Sequence, residues 1–322
     1  MSRRKLARAV RPAHKRKSPG PRAARPALDA GKGWVLRDTA GIATLEASQL
    51  ARVPWLTHAF STRLDTACVK SPAPFNLGFT ETDSRAAVTA RRTRLAAVLG
   101  ASAFPLIAAQ QFHSDVVHVI SGPHAPPRPP HADALITQTP GVLLAVQSAD
   151  CVPILFADTR RRVIAAIHAG WRGTLARIAQ KVLGKMRMEF GTRAVDVIAA
   201  IGPSIGPCCY EVGPEVAQSF AAQFPAAKNW FTGPFDRLSS GEDPNPLPWL
   251  NMMPPGHQPP PPRVQLDLRA ANRWQLIDAG VAPSRISVSP LCTSCRTDLL
   301  FSYRREGRAT GRQMSAIGIF QS

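Results

Sequence analysis

The chain has 322 residues, is 44% hydrophobic, and carries 40 Lys and Arg against 21 Asp and Glu, a formal net charge of +19. That length buries a full hydrophobic core. It contains no run of about 18 apolar residues that could span a bilayer and no signal-peptide core near its start. Six cysteines, Cys68, Cys151, Cys208, Cys209, Cys292 and Cys295, are too sparse for a disulfide framework. A soluble cytoplasmic protein with reduced thiols is the expectation, with no membrane partner.

The charge is unevenly placed. Met1 to Lys32 holds 11 Lys and Arg against the single Asp29. With several prolines and almost no large apolar residue, this segment is read as a disordered basic tail over 1–32. Such an arm offers nucleic acid only nonspecific, salt-sensitive affinity, so nucleic acid is not an expected specific partner. The folded remainder, 33–322, is only mildly basic.

Beyond the tail, "VLLAVQS" (142–148), "VPILFAD" (152–158) and "RVIAAIH" (162–168) read as three strands. Their short connections favour antiparallel neighbours. "LARIAQKVLGKM" sets Leu175, Ile178, Ala179, Val182, Leu183 and Met186 at helical spacing, a stripe that would pack on a sheet. "VDVIAAIG" (195–202) reads as a strand and "PEVAQSFAAQF" as a helix. "VQLDL", "RAANRWQLIDAG" and "RISVSP" follow as strand, helix and strand. The proline density between Thr232 and Arg263 forbids regular structure, so 232–263 is read as an extended surface insertion. The mixed order of elements indicates an α+β fold, and neither half looks able to fold without the other.

Three places pair a potential metal ligand with a strand end or loop: "QQFHSD" with His113, "SADCVPILF" with Cys151, and "AAIHAGWRG" with His168. Two imidazoles and a thiolate suit a zinc ion with one open position. Taken singly, Cys151 is equally a small buried hydrophobe, and either histidine a hydrogen-bonded rim residue. Gly170 and Gly173 would let the backbone pass close to a ligand, and Trp171 could wall a pocket. "CTSC" (Cys292 to Cys295) and the adjacent Cys208 and Cys209 raise a tetrathiolate zinc site. One C-x-x-C beside a vicinal pair fits core or rim cysteines better. Arg304, Arg305, Arg308 and Arg312 crowd "SYRREGRATGR", which could line an anion's path or form a solvated turn.

In this order, "QQFHSDVV", "SADCVPILFAD", "AAIHAGWRG", "AIGPSIGPCCYEVG", "LDLRAANRWQL" and "LCTS…LLFSYRREGRATGR" resemble the multicopper polyphenol oxidase (laccase-domain) family, also called peptidoglycan editing factor. The resemblance runs from about His58 to the C-terminus. It implies a single-domain α/β/β/α sandwich with mixed sheets, and a zinc held by His113, Cys151 and His168, with copper the alternative metal. It further implies a purine nucleoside phosphorylase acting on inosine, adenosine or methylthioadenosine with phosphate, and deaminating adenosine. The same three residues are then the catalytic set. For that activity Arg63 in "FSTR" is the candidate phosphate receptor, because a guanidinium presents a planar fork of donors, and Asn76 in "FNLG" a candidate substrate contact. Around the first histidine the family usually has valine and glycine, whereas this chain has "QFHSD". A copper-dependent phenol oxidase, and an amide hydrolase using Cys151 as nucleophile on peptidoglycan precursors, remain alternatives.

Overall fold

The computed structural model describes residues 30–66, 74–236 and 263–321. One six-stranded sheet has the order β1 (Trp34–Thr39), β2 (Ile42–Ala47), β3 (Leu56–Asp65), β15 (Gln313–Ile319), β7 (Leu143–Ser148) and β4 (Leu106–Ala108). The other runs β14 (Ile286–Val288), β10 (Val197–Ile201), β8 (Val152–Asp158), β9 (Val163–Ala169), β6 (Ala134–Thr137) and β5 (Val117–Val119). A small third sheet joins β11 (Glu211–Val212), β13 (Val264–Leu266) and β12 (Phe231–Thr232). Both large sheets are mixed: β4 runs parallel to β7, β5 to β6 and β10 to β14, while the other pairings are antiparallel.

The period-2 alternation of the strands sorts their side chains into layers. Leu155, Ala157, Ile164 and Ala166 of the second sheet face Phe60, Leu144, Val146 and Ile317 of the first. On its other face the second sheet turns Ile154, Phe156, Val163 and Ile167 toward the helices Ile178–Phe190, Pro214–Gln223 and Leu268–Asp278. The first sheet turns Leu143, Ala145, Met314 and Ala316 toward Leu95, Ala96 and Leu99 of and beside the helix Arg85–Val98. The result is the helix–sheet–sheet–helix sandwich expected from the sequence. Because both faces of β7, β8 and β9 are covered, these strands read as nearly continuous apolar runs.

Two details differ from the sequence reading. β8 and β9 pair antiparallel as expected, but β7 lies in the opposite sheet between β15 and β4. The chain changes sheets across Ala149 to Cys151, where Asp150 takes φ 97°, so a short connection joins two layers instead of two neighbours. The expected helix 175–186 is broken: Trp171–Leu175 forms one turn, Arg177 sits at φ 62°, and the longer helix starts at Ile178. Its stripe of Ile178, Ala179, Val182, Leu183 and Met186 is buried as the periodicity predicts.

Residues 1–29 and 237–262 lie outside the described residues, and with them nearly all of the proposed tail and insertion. At their edges, Ala30 is already buried and Phe235 packs on Phe231 with ring centroids 4.5 Å apart. β12 and β13, which flank the insertion, pair with each other through Thr232 and Gln265, so its two ends are held side by side.

His58, inside β3, accepts a hydrogen bond from the Ala47 N–H through Nε2, and its burial pushes its pKa down to about 4. The fold therefore holds a neutral imidazole that the unfolded chain protonates below its ordinary pKa of about 6.5. Stability should be full above pH 6.5 and fall as pH drops to about 4, by on the order of 3 kcal/mol from this residue. Urea unfolding of wild type and His58→Gln across that window checks it: the variant should lose most of the slope.

Candidate functional site

The site begins with a carboxylate. Asp133, fully buried just before β6, accepts hydrogen bonds from the backbone N–H groups of Phe112 (3.2 Å), His113 (3.1 Å) and Ser114 (2.7 Å) and from the Ser114 hydroxyl (2.7 Å). This ties down a loop in which His113 takes φ 63°. The other Asp133 oxygen pairing is with Nδ1 of His168 at 2.8 Å. His168 lies near the end of β9, opposite Pro153 of β8, and is itself buried. With Nδ1 held by Asp133, its Nε2 is left to face the site.

Cys151 arrives from the crossover between sheets. Asp150 holds that crossover: its carboxylate accepts from the Thr293 hydroxyl at 2.5 Å and the Arg304 N–H at 2.6 Å, and its carbonyl from the Ile205 N–H at 2.9 Å. Gly170 closes the group, since a Cβ there would lie 3.1 Å from both Cys151 Sγ and His113 Cδ2. The ligand atoms of His113, Cys151 and His168 thus all lie within 4.8 Å of one another.

The three residues sit in a cavity of about 560 Å³ whose walls include Gln111, Tyr210, Tyr303, Arg304 and Arg312. Gln111 is fixed by donating to the Gln147 carbonyl and accepting from its N–H, each at 2.7 Å. Of the four arginines in "SYRREGRATGR", Arg304 and Arg312 reach this wall. Arg304 lies over the Tyr210 ring and Arg312 near that of Tyr303.

Arg63 and Asn76 are not brought to the cavity. Arg63 donates to Glu306 at 2.6 Å and to the Thr297 carbonyl at 2.8 Å, and lies over Phe301. Asn76, buried, donates to Thr80 and Asp83 and accepts from the N–H groups of Gly78 and Arg312. Both brace the segment that carries the cavity arginines. Trp171 likewise turns away from the cavity: it packs against the helix-side core, with Arg172 over its ring. Sequence reading missed Asp133, Asp150, Tyr210 and Tyr303. Only the two aspartates carry a signal, an acid set directly before an apolar strand in "HADALIT" and "SADCVPILF".

Charges in the cluster are strongly coupled. Burial would push the Cys151 thiol up, but His168 and His113 beside it bring it down to about 6. Burial also opposes charge on His168, yet Cys151 and Asp133 raise it to about 9. Desolvation acts on Asp133 too, and is outweighed by His168 and Ser114, which hold it well below the usual carboxylate range. Without a metal, the neutral-pH state is therefore thiolate, imidazolium and carboxylate in series. Two imidazoles and one thiolate converging on a point are donors of borderline softness, which fit a zinc-class or copper ion. Asp133 behind His168 is the carboxylate partner that such a ligand histidine ordinarily has.

A four-layer sandwich with a His–Cys–His cluster in a cationic, aromatic cavity defines a class of protein with a candidate metal centre at the rim of its sheets. Residues 57–320 match the family described as multi-copper polyphenol oxidoreductase laccase, and the chain belongs to that family. Purine nucleoside phosphorylase YlmD of Geobacillus stearothermophilus is 36% identical over 262 residues, 77% of this chain and 86% of its own. The crystal structure of YlmD from that organism superposes with a TM-score of 0.68, at 31% identity, over 86% of this chain and 96% of that one. A purine nucleoside phosphorylase of Deinococcus radiodurans is 38% identical over 281 residues, 87% of this chain and 94% of its own. Adenosine deaminase RL5, from an unknown prokaryotic organism, is 37% identical over 191 residues, 58% of this chain and 61% of its own.

If His113, Cys151 and His168 share one ion, Asp133→Asn should weaken metal binding by roughly 10- to 100-fold, because it removes the charge that orients His168. A competition titration against a chromogenic chelator reads this directly. Loading the metal-free protein at neutral pH should release about one proton, from His168, measured with a pH indicator in weak buffer.

Proposed function

We propose that this chain is a metal-dependent purine nucleoside phosphorylase, converting inosine, adenosine or methylthioadenosine and phosphate to free base and ribose 1-phosphate, with adenosine deaminase as a second activity. The observation that carries the reading is the joint presence, in one cavity, of the His113, Cys151 and His168 cluster with two arginines and two tyrosine rings. The names of its relatives support the substrate class.

Each residue has a task under this reading. Arg304 directs two N–H groups to the carbonyls of Cys209 and Glu211, and Arg312 uses Nη1 on those of Thr310 and Gly311. A guanidinium has five donors, so both retain N–H groups for phosphate oxygens while their backbone bonds fix their orientation. Burial pushes the Tyr210 phenol well above its ordinary value, so it stays neutral, able to donate a hydrogen bond and offer a ring face to a purine. In phosphorolysis a phosphate oxygen bonds to C1′ of the ribose as the bond from C1′ to the base nitrogen breaks and its electron pair leaves with the purine. The arginines neutralise the nucleophile's charge enough to let it approach, and hold it in line. His113, Cys151 and His168 would hold the zinc-class ion, which supplies Lewis-acid activation of water for deamination at C6.

The depressed thiol of Cys151 and the raised imidazole of His168 also suit a covalent nucleophile with its base, as an amide hydrolase would require. Cys151→Ala separates the two readings. For the phosphorylase, metal content, phosphorolysis and deamination should fall together, and prolonged chelation of wild type should reproduce the loss. Full activity on adenosine and on inosine with phosphate in protein stripped of metal would contradict it.

The arginines give a second, finer check. Arg312→Ala should raise KM for phosphate about tenfold or more with a smaller change for the nucleoside, as loss of a charge-assisted contact implies. Arg63→Ala, which frees Glu306, should instead lower the melting temperature while leaving the ratio of the two KM values near wild type.

A further inference from the structure

Outside this cavity, a second group of metal-ligating side chains stands together. Cys208, Cys209, Cys292 and Cys295 place all four sulfurs within 4.8 Å of one another. Cys295 Sγ lies 3.5 Å from Cys208 Sγ and 3.4 Å from Cys209 Sγ. These are close to the edge of about 3.8 Å that four sulfurs form around a zinc ion at about 2.3 Å, and far beyond the bonding distance of about 2.05 Å.

We propose that these four cysteines form a second metal site, a closed tetrathiolate centre for a soft divalent cation of the zinc class, structural in role and independent of the His113, Cys151 and His168 cluster. The local backbone explains how a vicinal pair can serve one ion. The N–H groups of Cys209 and Tyr210 both donate to the Gly206 carbonyl at 3.0 Å, which curls the chain so that both side chains reach Cys295. The C-x-x-C arm is a turn closed by the Arg296 N–H on the Cys292 carbonyl. The Gly206 N–H donates to Cys292 Sγ at 3.2 Å, as backbone amides do toward a thiolate that carries charge. A divalent ion with four thiolates has a net charge of −2, and two arginines stand against the group. A Cβ on Gly206 would lie 2.9 Å from Arg269 Nη2 and 3.3 Å from Cys208 Sγ, and Arg304 donates to the Cys209 carbonyl.

The position gives the centre its work. Each cysteine pair belongs to a loop without long regular structure, and the loops are otherwise joined by the bridge between Ser204 and Cys292 and the Thr293 N–H on the Ser204 carbonyl. One loop places Ile205 and Tyr210 on the cavity wall, and the other supplies Thr293 to Asp150 beside Cys151. An ion here would rivet the two loops that frame the substrate cavity.

Elemental analysis of the full chain, purified with reductant and zinc and then dialysed, tests this without reference to activity. Cys295→Ser should hold about one equivalent of zinc less than wild type, and Cys151→Ala should keep the equivalent that Cys295→Ser loses. Cobalt loaded into Cys151→Ala should give the intense charge-transfer bands of a tetrathiolate site, and chelation should speed the reaction of its thiols with Ellman's reagent. Zinc in Cys295→Ser equal to wild type would overturn the proposal. So would a folded Cys151→Ala protein with no zinc above the buffer, or a disulfide found among these cysteines in the reduced, zinc-replete protein. If Cys295→Ser fails to fold, the zinc content and cobalt spectrum of Cys151→Ala decide alone.

Discussion

Asp133 is the constraint on which the candidate site depends. One buried carboxylate collects five donors from two places in the chain: three backbone N–H groups and a hydroxyl from the His113 loop, and the Nδ1 of His168. An unpaired charge in that position would be prohibitive, so the loop and the β9 histidine are obliged to satisfy it together. Because one carboxylate oxygen meets both the His113 N–H and the His168 ring, Asp133 ties the His113 loop to the end of β9. The electrostatics follow, since the carboxylate is what lets a buried imidazole carry a proton opposite a thiolate.

Asp150 does the corresponding work for Cys151. The chain passes from β7 in one sheet to β8 in the other through three residues, and a non-glycine residue at φ 97° is costly unless it is held from several sides. Thr293, Arg304 and Ile205 supply that hold from three other segments. Crossing between layers is what delivers the thiol to a rim where the strand ends and loops of both sheets meet. Polar chemistry gathers there because the strand interiors on both sides are closed by apolar packing.

Much of this was legible in the sequence. The apolar runs at 152–158 and 163–168 and the helical stripe from Ile178 to Met186 are strong periodic signals, and covered sheets make them continuous. His113, Cys151 and His168 stood out as ligand-type residues at the ends of such runs. What failed was anything decided by a tertiary partner. β7 looks like a neighbour of β8 because a three-residue link ordinarily makes a hairpin, and only the bonds to Asp150 reveal a change of sheet. Arg63 looked like an anion receptor, yet Glu306, far away in sequence, takes its charge. Tyr210 and Tyr303 carry no local signal at all, since their place at the cavity follows from the loops around them. The four cysteines illustrate the same limit: a vicinal pair and a lone C-x-x-C are weak motifs separately, and their convergence exists only in the fold.

Arg63 and Asn76 therefore have a role at one remove. Asn76 accepts from the Arg312 backbone, and Arg63 pairs with Glu306 in the same short helical turn as Arg304. The two residues anchor the C-terminal arginine segment at two points, Glu306 and the Arg312 N–H. The cavity guanidinium groups are themselves ordered by other contacts, which matters because a long side chain loses rotamer freedom on binding unless that freedom has already been removed. Backbone carbonyls bind Arg304 and Arg312 from below, and Tyr210 and Tyr303 flank them, so the ordering cost falls on folding and not on substrate capture. The cavity is in this sense built from pre-positioned charges: thiolate, imidazolium and carboxylate in one coupled cluster, and guanidinium groups fixed by backbone carbonyls.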